Sequence, residues 1–284
     1  MPRKTLVTST LVAILFSCDA ASAQAAKGIS LPPVFADHMV LQRNRPVTIW
    51  GRAPSGTEIE VAFAGQRQTA TATDADEWSV MLPAMPASRT GRKMLIRAIG
   101  EPTEMILLSD VVCGDVWVCA GQSNMRWRVR QSAKADEMLE SAAMPDLRLI
   151  DFEGSLHTSG KAPDLAQLHS VNADNYYTTN GWHRSSRATA ASFSAVAFAF
   201  GRRLTQELEV PIGVIHNAIG GAPIEAYLPS GGSEVDPAVR DVMKSWWTDP
   251  RTGVTAVLLT NQMWPSPTPP PVFDAFRAVA FGSR

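Results

Sequence analysis

The run Val111-Val112-Cys113-Gly114-Asp115-Val116-Trp117-Val118-Cys119 constrains this chain more than any other segment. It is too short for a membrane span and too continuously apolar for a strand with one wet face. It is therefore expected to be a strand buried on both faces, which needs a packed layer on each side of its sheet. That excludes a simple two-layer sandwich for this part of the chain and predicts an α/β arrangement. The run ends in Gly121-Gln122-Ser123-Asn124-Met125, where a parallel sheet presents the loops that carry ligands and nucleophiles.

The residues downstream continue the pattern. A helix-compatible stretch around Ala133 to Ala143 leads to a second apolar strand, Leu147-Arg148-Leu149-Ile150. Phe193, Val196, Ala197, Phe200, Leu204 and Leu208 fall at helical intervals, with Ser192 or Ser194 able to cap the N-terminus. Pro211 disfavours the helical region for Val210, so that helix is expected to stop near Glu209. Ile212-Gly213-Val214-Ile215 is then a third buried strand. This βαβ alternation predicts a parallel sheet covered by helices.

Residues 31–108 have a different texture. Short strands at Val47–Trp50, Ile59–Phe63, Gln68–Thr73, Trp78–Leu82 and Met94–Ile99 are separated by turns at 53–56, Ala64-Gly65, 74–76 and Thr90-Gly91. Their partial period-2 alternation, with no helical period between them, predicts a small antiparallel β-sandwich module. Residues 109–254 would hold the α/β unit, with a turn at 230–233 and a helix at Val239–Trp247. Residues 255–284 read as an irregular proline-rich tail. Three parallel strands are few for a doubly wound domain, so the sheet is expected to be incomplete.

The N-terminus carries Arg3 and Lys4, an apolar stretch from Leu6 to Phe16, and small residues through Ala25. That order predicts a signal peptide over residues 1–25 and a secreted or periplasmic mature protein without a membrane span. Leu15-Phe16-Ser17-Cys18 is a weaker match to a lipoprotein cleavage box, because bulky Phe16 fits it poorly. A formal charge of -1 leaves no basic excess to neutralise phosphates, which argues against a nucleic-acid partner. Cys113 and Cys119 would lie ~20 Å apart in an extended strand, too far for a disulfide, and are expected to be small buried hydrophobes. No Cys/His/Asp group has metal-ligand spacing, so no metal is expected.

Ser123 is the candidate nucleophile. Gly121 permits a tight turn before it, and the Ser123 N–H is placed to meet a developing oxyanion. The competing assignment is a loop serine that caps the next helix. Gly220-Gly221 stands in the same relation to the third strand and offers free N–H donors to a ligand, or forms a simple turn. A serine needs a general base, normally His. His38 belongs to the sandwich, while His157, His169 and His183 lie in a polar, loop-like region. His216 ends the third strand, where a satisfied strand-end histidine is the safer assignment. The base therefore stays unassigned. Arg126, Arg128 and Arg130 crowd the segment after Ser123 and either pair with a substrate carboxylate or, for at least two of them, form a solvated face.

Several motifs together resemble one family. They are Pro33–Gln42, Val47-Thr48-Ile49-Trp50-Gly51, Gly114–Met125, Phe193-Ser194-Ala195-Val196-Ala197, and Pro211–Ile215 followed by Gly220-Gly221-Ala222-Pro223-Ile224-Glu225-Ala226-Tyr227. In this order, over roughly residues 30 to 230, they resemble the sialate O-acetylesterases. The resemblance implies an SGNH-type hydrolase behind a β-sandwich, working without a cofactor on O-acetylated sugars or glycans. By position it makes Ser123 the nucleophile, and the Ser123 N–H with Gly220 or Gly221 part of the oxyanion hole. It assigns Gln122, Asn124 and Arg126 to substrate contact. Arg126 stands where the family usually has an acidic residue. The family's later acid-and-base motif, of the D-x-H-P type, has no counterpart, and the ending reads as a truncation or a shifted frame. The expected function is a secreted carbohydrate O-acetylesterase; the alternatives are a non-catalytic glycan-binding remnant and a fragment that does not fold stably.

Overall fold

The computed structural model describes residues 28–100, 104–155, 170–171 and 175–220. The N-terminal strands are β1 Val40–Gln42, β2 Val47–Arg52, β3 Glu58–Phe63, β4 Gln66–Thr71, β5 Glu77–Leu82 and β6 Ser88–Ile99. β2 and β5 form a separate antiparallel pair, and their Ile49, Trp78, Val80 and Leu82 pack in one core with Ile59, Val61, Met94 and Ile96 of β3 and β6. This is the expected sandwich. The Ala64-Gly65 turn joins β3 to β4 with both residues at positive φ, 51° and 83°, a hairpin whose twist matches its strands. The turn expected at Thr90-Gly91 is instead part of β6, which bulges there. Gly91 is needed because a Cβ at that position would lie 2.1 Å from Asp110 Oδ1.

β7, Met105–Gly121, runs through both halves of the molecule. It pairs antiparallel with β6 along its first part, parallel with β1 at Val112–Gly114, and parallel with β11, Ile212–Ala218, from Asp115 to Gly121. The division placed at residues 108 and 109 therefore falls inside a continuous strand. After β7 come α1 Ser123–Arg126, a 3₁₀ turn Val129–Gln131, α2 Ala135–Glu140, β8 Met144–Gly154, β9 Tyr177–Thr178, β10 Trp182–Ser185, α3 Arg187–Ala191 and α4 Ala195–Leu208. The sheet order is β10-β8-β11-β7-β6-β3-β4, so the three expected parallel strands lie side by side with the last in the middle. β10 adds an antiparallel edge.

Two burial expectations are corrected. Val111 to Gly114 and Cys119 are buried, but Trp117 and Val118 are 42% and 66% exposed. Along that part of β7 only β11 pairs with it among the described residues. In α4, Ser194 accepts the Ala197 N–H at 3.2 Å and Glu209 ends the helix at φ 53°, as the caps predicted. Its inward face, however, is Ala197, Phe198 and Gly201, leaving Val196, Phe200 and Leu208 partly exposed. A Cβ on Gly201 would sit 2.7 Å from Val214 and 2.9 Å from Leu147, so the bare glycine draws that side onto the sheet. The opposite sheet face is covered by the chain leading into β1 rather than by helices. The indole of Trp182 donates to the Val34 carbonyl at 2.8 Å, and Val40 packs over Gly213.

Asp110, in the left-handed region at φ 57°, joins these layers. Its carboxylate accepts from His38 Nδ1, Arg148 Nη1 and Arg184 Nη2, each at 2.7 Å. Arg148, only 2% exposed, also donates to the carbonyls of His38 and Pro145. Burial alone would raise the Asp110 carboxyl, but the bonds from His38, Arg184 and Arg148 outweigh it and hold the pKa at about 2. Because the folded value is depressed, the carboxylate stabilises the fold above the ordinary unfolded value near ~3.9, and that contribution is lost as pH falls toward about 2. Its size is roughly 2 kcal/mol. Asp110→Asn should destabilise by about 3 kcal/mol at pH 7, since it strands buried Arg148. The gap from wild type should narrow between pH 4 and pH 2.5 in urea unfolding; a gap that stays constant would show the carboxylate is not the linked group.

Candidate active site

The register of β7 and β11 builds the site. Ala218 lies opposite Gly121, and the Ile219 N–H donates to the Gly121 carbonyl at 3.1 Å, so the turn at Ser123 and the loop at Gly220 leave the same end of the sheet side by side. Gly121 has φ 155°, and a Cβ there would press on Met125 at 3.1 Å. The chain turns at Gln122 and Ser123 opens α1, which closes on the Arg126 N–H to Gln122 carbonyl bond at 3.0 Å. Gln122, Ser123 and Asn124 are exposed and Arg126 is half-buried. Ser123 does not cap the helix with its side chain, and Gln122 makes no side-chain cap either. Among the described residues no side chain hydrogen-bonds the Ser123 hydroxyl. Gly220 is half-buried; Gly221, His157 and His169 lie outside the described residues.

His216, 1% exposed, is satisfied on both sides, as a strand-end histidine was expected to be. Its Nδ1 lies 2.5 Å from Asp151 Oδ1 and its Nε2 lies 3.1 Å from the carbonyl of Met125, two residues after Ser123. Arg128 donates from Nη1 to Asp151 Oδ2 and from Nη2 to Glu153 Oε1, both at 2.5 Å. Arg130 is exposed, but Arg128 is 9% exposed and departs from the solvated-face assignment. Burial raises the Asp151 carboxyl, yet the His216 and Arg128 contacts outweigh it and leave it below the usual carboxylate range. Burial pushes the thiols of Cys113 and Cys119, both free, upward, which suits inert packing rather than nucleophilic use.

Asp151 and Glu153 were missed because the second strand was ended at Ile150. The signal was present: acids at the C-terminal end of a parallel strand sit where such sheets bind ligands. Together with Arg128, Arg130, Asn180, His183 and Phe193 they line a cavity of about 420 Å³. His183, expected in a loop, is an exposed residue of β10. Asp151 and Phe193 both touch His216, so one imidazole separates this cavity from the Ser123 turn. Among the described residues no group of His, Cys, Asp or Glu side chains is arranged to hold a metal ion.

A family model described as carbohydrate esterase, sialic acid-specific acetylesterase, matches residues 113–259. The chain belongs to that family. It is 30% identical over 199 residues to a sialate O-acetylesterase of Rattus norvegicus, covering 67% of this chain and 36% of the relative. The Homo sapiens protein of that name is also 30% identical, with 66% and 36% covered. A crystal structure of a carbohydrate acetylesterase from Xanthomonas citri superposes with a TM-score of 0.60 at 29% identity, covering 73% of this chain and 43% of that one. The chain thus spans 36% of the length of these curated relatives. The family's mixed sheet with few helices is the fold described above.

Arg128→Met should destabilise the protein by about 2 kcal/mol, because it leaves Asp151 and Glu153 facing each other without the cation between them. The value sits below that of a fully buried pair because the Glu153 side chain is 42% exposed. Urea unfolding at constant m checks it, and a change under about 0.5 kcal/mol would mean that water already screens the pair.

Proposed function

We propose that this chain is an exported carbohydrate O-acetylesterase that transfers an acetyl group from a sugar hydroxyl to Ser123 and then to water. The observation that carries the reading is the register of β7 against β11. It sets an exposed serine beside Gly220 at one sheet end, in a chain of the acetylesterase family. In the first step the Ser123 Oγ attacks the acetyl carbonyl, its proton passes to a general base, and the sugar oxygen leaves with a proton. Backbone N–H groups of Ser123 and Gly220 supply the donors for the tetrahedral oxyanion, a contribution that is commonly worth 10² to 10³ in rate per donor. Water then cleaves the acetyl-enzyme. The signal-peptide character of residues 1–25 is the basis for export.

A second reading, glycan binding without turnover, is favoured by one observation: no imidazole among the described residues hydrogen-bonds Ser123. The test separates the two. Hydrolysis of an aryl acetate by the purified chain should fall at least 10³-fold in Ser123→Ala, with both proteins equally folded by circular dichroism. Hydrolysis unchanged by the substitution would remove Ser123 as nucleophile. A folded wild type that binds acetylated glycans without hydrolysing them would support the second reading.

A further inference from the structure

At the end of β11, Arg128 and His216 meet two carboxylates, and their hydrogen bonds can be counted. Arg128 carries five N–H donors and no acceptor. The Asp151 carboxylate takes Arg128 on Oδ2 and His216 on Oδ1, and Glu153 takes the other arm of Arg128. His216 Nε2 faces the Met125 carbonyl, which can only accept. With Asp151 ionised between two donors, neither neighbour of the imidazole has a hydrogen to give. Both ring nitrogens of His216, in a side chain only 1% exposed, are thus engaged by oxygens of two different elements. Phe193 packs against the ring, with its centroid 5.5 Å away at 63°, an apolar neighbour that offers no competing acceptor.

We propose that His216, held between Asp151 and the Met125 carbonyl, is a positioning residue that fixes the turn carrying Ser123. This rests on the reading of Ser123 as nucleophile. α1 has four residues, and its backbone closes on one hydrogen bond from Arg126 to Gln122 and a longer one, 3.4 Å, from Trp127 to Asn124. So short a turn does not hold its own geometry. The carbonyl of Met125 ties it to the sheet, since β11 carries His216 and β8 carries Asp151, while the Ala195 N–H holds the Trp127 carbonyl just after it at 2.7 Å. Reacting atoms misplaced by about 1 Å can lose 10²-fold in rate. Nε2 is thereby committed to a carbonyl and does not serve as the base that deprotonates Ser123.

Two measurements test this independently of each other. In ¹⁵N-labelled wild type, His216 Nε2 should carry a slowly exchanging proton with a coupling across the hydrogen bond to the Met125 carbonyl; a fast-exchanging or absent Nε2 proton would overturn the proposal, whatever the esterase assay gives. In the second, His216→Gln keeps a donor within reach of the Met125 carbonyl, whereas His216→Asn keeps only the side toward Asp151. His216→Gln should retain kcat within about 5-fold, and His216→Asn should lose about 10²-fold in kcat with KM little changed. Amide exchange at Arg126 and Trp127 should quicken at least 10-fold in His216→Asn relative to His216→Gln, at equal global stability. Equal kcat and equal exchange in the two variants would overturn the positioning role. If wild type shows no Ser123-dependent turnover, the proposed activity fails, and the ring-proton and amide-exchange results still decide whether His216 fixes the turn.

Discussion

The whole arrangement depends on β7 being one strand with two kinds of neighbour. Its first part is a member of an antiparallel sandwich, and its last seven residues are the edge partner of β11 in a parallel sheet. A strand cannot make that change without a local twist, and Asp110 in the left-handed conformation supplies it. Left-handed backbone costs on the order of 1 kcal/mol for a residue with a Cβ, and it persists only where the surroundings over-determine it. Here the carboxylate is seized by His38, Arg148 and Arg184, which come from the chain before β1, from β8 and from β10. The kink and the charges are thus one device. Just beyond it, Gly114 lets the strand pass so close to Pro211 that a Cβ would lie 1.9 Å from its carbonyl oxygen. With β7 bent and β11 locked beside it, the place where Ser123 emerges follows from register alone.

What the amino-acid order revealed, and what it hid, divide along the range of the interactions. The cap at Ser194, the stop at Glu209 and the Ala64-Gly65 turn are decided by neighbours in sequence, and each was legible. The three apolar strands were legible as well, because burial on both faces leaves a compositional trace. Their order was not, since nothing in Ile212–Ile215 tells that it enters between the two earlier strands. Gly91 reads as a turn because glycine usually does; its reason is a carboxylate from residue 110 that only the folded chain brings near. The inward face of α4 was misjudged for the same cause. Large side chains mark the expected stripe, but the close approach is set by a glycine that carries no hydrophobic signal.

The site shows the same division more sharply. Ser123 is singled out by place, at the end of an apolar strand, and that criterion needs no knowledge of partners. Asp151 and Glu153 were not found, and Arg128 was read only as one of three crowded arginines, because each alone is an ordinary charged residue and their meaning lies in being assembled. Their assembly changes how the site works. Arg128 is engaged by Asp151 and Glu153 rather than turned to Ser123, so the proposed oxyanion donors are oriented backbone N–H groups.

Two histidines among the described residues sit against a carboxylate, and neither pair has the geometry of a catalytic base. In a working hydroxyl-activating pair the carboxylate holds one ring nitrogen so that the other faces the nucleophile. His38 and Asp110 satisfy the first half only: the carboxylate is shared with two arginines and the pair is anchored in the bend of β7, far along the strand from Gly121. His216 and Asp151 come closer, at the correct sheet end and with the second nitrogen turned toward the Ser123 turn. What that nitrogen meets is the carbonyl of Met125, not a hydroxyl. A carbonyl takes a proton's hydrogen bond but gives nothing up, so the contact fixes position and transfers nothing. The identity of the group beyond the second nitrogen, rather than the presence of a His-Asp pair, is what separates a base from a brace.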